Sequence, residues 1–193
     1  MSKKKKGNRY ILLIPKRAMG RLWKPSFFLG LLLAVLLWQA ESGNLIKIDK
    51  TNQGLLVAAM VFALLFGLFT LAAQNMNYIQ PCASHFRVIT PFLRLKISYR
   101  RIRSSHSVNF NQTYPLNEMR WAQKRFFKPF STKTALAINL TGYPLPPKFL
   151  RLFLPKQVFL PSETGFLLVV EDWMTLSTEI DSFAGTWRSR RKR

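Results

Sequence analysis

Apolar residues occur along this chain in two arrangements: unbroken runs early, then alternation with basic residues beyond residue 78. The longest run, Gly54–Ala73, contains no charge, and Thr70 is its one strong polar group. At about 20 residues it supplies roughly 30 Å of helix, enough for a hydrocarbon core. An earlier run, Pro25–Trp38, is shorter. Leu22 and Trp23 extend it at one end and Ala40 at the other, provided Lys24 snorkels to the headgroups. Trp23 and Trp38 bracket it as interfacial anchors do, and Pro25 suits the first turn of a helix. The pattern predicts two membrane helices, about 22–40 and 54–73, joined by a short connection. A secretory signal peptide is the competing reading. Against it stand the long basic leader 1–24, the lack of an A-x-A-like cleavage site and the second apolar run that follows at once.

From Tyr78 onward the period becomes two. Leu93, Leu95, Ile97 and Tyr99 alternate with Arg94, Lys96, Ser98 and Arg100, and Phe86 and Val88 flank Arg87. This predicts a half-buried hairpin that bends near Pro91–Leu93, with a bulge or strand end at Arg100-Arg101. Ser104–Asn117 is polar, with a candidate strand through Val108 and Phe110. Asn117–Phe130 reads as a short helix broken before Pro129, Thr134–Leu140 as a strand, Lys148–Leu154 as a short helix or turn, and Gly165–Val170 as a strand. Met174–Trp187 is amphipathic, with Ile180, Phe183, Ala184 and Trp187 on one helical face.

Composition separates these two regimes. The chain is 48% hydrophobic yet carries 30 Lys+Arg against 8 Asp+Glu. One soluble core rarely combines both, so they belong to different segments. The leader holds Lys3, Lys4, Lys5, Lys6, Arg9, Lys16, Arg17, Arg21 and Lys24 with no acid. The connection Glu41–Gln53 is charge-balanced, and Arg87, Arg94, Lys96, Arg100, Arg101 and Arg103 follow the second run. The positive-inside rule then places both termini in the cytoplasm and the short connection outside. A lone cysteine, Cys82, excludes an internal disulfide, and with His85 and His106 as the two histidines a structural zinc site is not expected. Cys82 itself reads either as a juxtamembrane reactive or lipidated thiol or as a small apolar filler.

Three sets of residues carry candidate chemistry. The first is basic: Arg94, Lys96, Arg100, Arg101 and Arg103 on and after the hairpin, with Arg188, Arg190 and Arg191 in a basic tail, 188–193. Near an anionic leaflet each charge contributes on the order of 1 kcal/mol within a Debye length. These residues dock the domain on anionic lipid headgroups, serve only topology and solubility, or meet a protein partner or nucleic acid. The second set is small: Gly30 and Ala34 in the first span, and Ala59, Ala63 and Gly67 in the second. Their spacing permits close helix packing, within one chain, between copies or with another membrane protein. The third is Trp121–Phe130, where basic and aromatic residues mix. That suits nucleic acid but equally an interfacial segment, and a domain tethered near a bilayer favours the latter. Ser84-His85 and Ser105-His106 are expected to point to opposite faces of a strand, no glycine-rich phosphate loop is present, and the apolar runs Pro25–Trp38 and Gly54–Ala73 hold no ionisable residue. No catalytic site, metal or cofactor is expected.

The stretch Phe86–Arg103, with an apolar strand, a turn, a basic strand and then Ile97 and Ile102, resembles the opening hairpin of bacterial pleckstrin-homology-like domains, which often follow a pair of membrane spans. The resemblance covers Tyr78–Trp187 and departs from the family pattern in the proline-rich middle, 114–161. It implies a membrane α-helical hairpin plus a mostly β (α+β) domain, a PH-like partly open barrel closed by the C-terminal amphipathic helix at 78–187. The implied function is a membrane-tethered binding or scaffold module at the bacterial inner membrane rather than an enzyme. The alternative is a structural subunit of a larger membrane complex assembled through its hairpin.

Overall fold

The computed structural model describes residues 6–42 and 50–191. They form two compact units. One comprises the described residues up to Pro15 together with those from Met76 on; the other comprises the described residues of Lys16–Asn75.

The second unit is built from two helices, α1 (Leu13–Glu41) and α2 (Lys50–Ala73). Both are long and apolar enough to cross a membrane. A core helix of a soluble protein would be covered, but here only 6% and 17% of the two apolar windows are buried. Phe28, Leu31, Trp38, Leu55, Phe62 and Leu65 all face outward, a surface that water disfavours and lipid does not. The helices meet antiparallel through their small residues. A Cβ on Gly30 would lie 2.7 Å from Leu64 Cδ2, and one on Gly67 would lie 3.1 Å from the Phe27 ring. The buried Thr70 hydroxyl donates to the Gly67 carbonyl at 3.0 Å, so it needs no partner outside its own helix.

α1 begins at Leu13, well before the apolar run, and Pro25 lies inside it. Proline has no N–H for the carbonyl four residues back, so the helix continues through that position without it. Its start is set elsewhere. Leu12 and Ile14 are buried in the core of the strand unit, and the Leu13 N–H donates to the Val169 carbonyl at 2.9 Å. Lys16, Arg17, Arg21 and Lys24 therefore belong to α1.

The strand unit contains two antiparallel sheets. The first runs β1 (Tyr10–Ile11), β2 (Tyr78–Pro81), β3 (His85–Ile89), β4 (Arg94–Ser98), in that spatial order. The β3–β4 bend at Thr90–Leu93 is closed by reciprocal backbone bonds of 2.8 and 3.3 Å. The second sheet runs β5 (Ile102–Asn109), β6 (Thr134–Leu140), β7 (Gly165–Leu168). Between the sheets a 3-10 turn at Tyr99–Arg101 ends the β4 ladder. Among the described residues the result is two sheets and no closed barrel. The turn is pinned by Tyr99, whose buried hydroxyl donates to the Cys82 carbonyl at 2.7 Å. Burial raises its pKa well above the ordinary phenol value, so it stays a neutral donor.

Alternation along the first sheet puts Tyr10, Ile79, Phe86, Val88, Leu95 and Ile97 into the core. β6 is the central strand of the second sheet, and Ala135–Leu140 are all buried. α6 (Trp173–Arg191) supplies Leu176, Ile180 and Ala184 to the same core, with Phe183 and Trp187 packed beside them. The basic run Arg188–Arg191 continues this helix and is not a flexible tail; residues 192–193 lie outside the described ones. After α3 (Phe110–Thr113), the proline-rich middle holds one strand, β6, among short helices that include α4 (Trp121–Phe127) and α5 (Pro147–Phe153). The strand expected through Val108 stops at Asn109, whose side chain accepts from Asn111 N–H at 2.9 Å and starts α3.

Two predictions follow from these local contacts. A Cβ on Gly165 would overlap the Ile138 carbonyl oxygen, and backbone cannot move aside. Gly165→Ala should cost about 2 kcal/mol or more. Gly142→Ala, which meets nothing within 4 Å, should change stability by less than about 0.5 kcal/mol. Thermal unfolding of both variants in detergent checks the contrast. At the start of α6, Asp172 accepts from the Thr175 hydroxyl and from its N–H, the latter at 3.0 Å, and these bonds lower its pKa. The cap therefore operates above the ordinary aspartate pKa and is lost as pH falls through the lower folded value. Amide protection in the first turn of α6, corrected for the intrinsic pH dependence of exchange, should fall only below about pH 4.

Candidate functional site

The basic residues expected to act together are distributed over three parts of the strand unit, and only some converge. On the first sheet, outward positions of neighbouring strands are paired in register: Tyr78↔Ile89, Gln80↔Arg87, Ile89↔Arg94 and Arg87↔Lys96. Met76, Tyr78, Arg87, Ile89, Arg94 and Lys96, with the edge of Leu95, line a cleft of about 550 Å³ on this face. The Arg9 guanidinium lies 5.0 Å from the centre of the Tyr78 ring. Three cations thus line the cleft and a fourth adjoins it, with no carboxylate among the described lining residues. Arg87 and Lys96 are directly opposite across the ladder. Like charges so placed destabilise a sheet, and an anion between them would relieve that repulsion.

Arg87 is oriented by its neighbours. Its Nε donates to His85 Nε2 at 3.0 Å, and His85 Nδ1 lies 2.9 Å from Ser84 Oγ. A guanidinium only donates, so Nε2 is the acceptor and the ring proton of neutral His85 lies on Nδ1, directed to Ser84. Sequence reasoning expected Ser84 and His85 to face apart. They are in contact because Ser84 sits in the bend before β3 rather than on the strand.

The other residues of the basic set lie elsewhere. Arg100 is exposed in the 3-10 turn beyond the far end of β4. Arg101 is half-buried and structural: its Nη1 donates to the Tyr143 carbonyl at 2.8 Å and to the Gly142 carbonyl at 3.4 Å. Arg103 belongs to β5, where it lines a cleft with Asn139, Thr141, Glu163 and Thr164, so that lining, unlike the first, includes a carboxylate. Arg188 and Arg190 are exposed on the last turns of α6; Arg191 ends that helix, and its side chain lies outside the described ones. Arg87 was absent from the expected set although its outward position was visible in the alternation. What singles it out is the register opposite Lys96, which a single strand's pattern does not contain.

Of the small residues, Gly30, Ala63 and Gly67 are buried between the two helices, Ala34 is half-buried and Ala59 is exposed. Cys82 is buried, with its backbone held by Tyr99, and packs as a small filler. Among the described residues no group of three or more His, Cys, Asp or Glu side chains is placed to hold a metal. Compared with known protein families, curated proteins and solved structures, the chain matches none.

The distinction between Arg101 and the cleft cations is testable. Arg101→Ala removes two carbonyl bonds that tie the Tyr99–Arg101 turn to the β6–α5 loop. It should cost about 1–3 kcal/mol of stability without altering the charge of the cleft face. A lowered unfolding temperature with unchanged affinity for anionic lipid is the expected result.

Proposed function

We propose that this chain is a multi-pass protein of the bacterial inner membrane, with both termini cytoplasmic, and that its strand unit is a PH-like module acting by binding rather than catalysis. Its ligand surface is the outer face of the β1–β4 sheet, docked on the anionic leaflet. Two exposed apolar helices support the membrane assignment. Antiparallel strands followed by an amphipathic C-terminal helix fit the PH-like reading. The observation that carries the functional reading is the cleft face, where Arg87, Arg94 and Lys96 converge with no carboxylate among the described lining residues and two of them are held opposite each other.

Chain length supports the choice of a lipid partner. Tyr78 opens β2 only five residues beyond Ala73, so at most roughly 18 Å of chain separates the cleft from the end of the second span. Assembly through the hairpin is the second reading. The burial of Gly30, Ala63 and Gly67 within one copy leaves the exposed Ala59 and the half-buried Ala34 as its remaining small contacts.

β1 is part of the sheet, so the full chain in nanodiscs is the proper sample. A fluorophore on Ser98→Cys in a Cys82→Ala background would report the approach of β4 to lipid. Its emission should shift to the blue when phosphatidylglycerol is added to phosphatidylcholine discs, and return with high salt. Arg87→Gln, Arg94→Gln and Lys96→Gln together should weaken docking by about 3 kcal/mol, roughly a hundredfold. A probe indifferent to anionic lipid would overturn the proposal.

A further inference from the structure

Trp121 is 75% exposed, the same as Leu152 and more than any other large apolar residue described. It opens α4, a helix of seven residues whose other side is firmly anchored. Phe127 and Phe130 are buried against Phe110, with ring centres 5.7 and 6.2 Å away, and Phe126 packs edge-on to Phe127 at 4.7 Å. Trp121 is therefore presented on a rigid support rather than on a loose loop. Around it Arg120, Lys124, Arg125 and Lys128 are all exposed, and the Arg125 guanidinium lies 5.8 Å from the Trp121 ring centre. Glu118 is the one acid nearby in the chain. Four cations around one exposed indole match an anionic headgroup layer, into which an amphipathic ring inserts while basic heads remain among the phosphates.

We infer that α4 is a second, interfacial membrane contact, with Trp121 seated in the headgroup layer of an anionic bilayer and Arg120, Lys124, Arg125 and Lys128 paired with lipid phosphates. This rests on reading α1 and α2 as membrane spans, but it is independent of the cleft on the first sheet. It assigns Trp121–Lys128 to lipid rather than to nucleic acid or a protein.

The test uses the full chain in nanodiscs and the emission that Trp121→Phe removes, which isolates this indole from the others. In phosphatidylglycerol-containing discs, that component should be blue-shifted and only weakly quenched by acrylamide. It should fall by roughly half when the lipids carry bromines near the headgroups. Lys124→Gln with Arg125→Gln and Lys128→Gln keeps the ring and should return the component to its behaviour in phosphatidylcholine discs. A Trp121 component at the solvent-exposed wavelength, quenched by acrylamide and untouched by bromines in anionic discs, overturns the inference. If the Ser98 probe still responds to anionic lipid in the same discs, the failure belongs to α4 alone. If both probes ignore lipid, the membrane-docking reading falls with it.

Discussion

Tyr10–Ile11 pairs with Tyr78–Pro81 across a connection that contains both long apolar helices. The backbone pairing Ile11↔Tyr78, with the Leu12 N–H on the Asn77 carbonyl at 3.0 Å, joins the start of one helix to the end of the other through a single sheet. Closing a flexible loop of roughly 65 residues would cost about 4 kcal/mol in chain entropy. Burial of Tyr10, Leu12 and Ile14, each worth roughly 1.5–3 kcal/mol, offsets that. The helices reduce the cost further. Their packing brings Gly20 against Gln74, where a Cβ would meet the amide oxygen at 3.1 Å, so the ends are already close when β1 docks. Without this pairing the strand unit would hang from one helix and lose one edge strand of its first sheet.

The same pairing makes the cleft face what it is. β1 and β2 extend the hairpin to four strands, and Arg9 and Tyr78 continue the row that β3 and β4 begin with Arg87, Ile89, Arg94 and Lys96. On the inner side the strands are held by a well-packed aliphatic and aromatic core. The register is consequently rigid, and Arg87 and Lys96 cannot slide apart to relax their repulsion. A stable core here maintains an unfavourable charge arrangement on the surface, which gives an anion a reason to bind.

Much of the element order was legible in single stretches of sequence. The Thr90–Leu93 bend, the strand Thr134–Leu140 and the inward face of α6 follow from alternation, helical period and turn residues, all of which act over a few positions. The start of α1 was not legible, because Leu12, Leu13 and Ile14 look like ordinary leader residues until the strand unit provides a core and the Val169 carbonyl. Ser84 against His85 was missed for a related reason: the face a side chain takes depends on where the strand begins.

Local chemistry in the sequence determined the two apolar helices, the basic character of the strand unit and the amphipathic last helix, since each depends on neighbours within one or two turns. Which cations meet was decided by tertiary structure. Arg94 and Lys96 join Arg87 and Arg9 across three strand pairings, Arg101 turns inward to two carbonyls, and Arg103 shares a different cleft with Glu163. The five guanidinium groups are chemically alike, so only the register and the turn at Tyr99–Arg101 could assign them different surroundings.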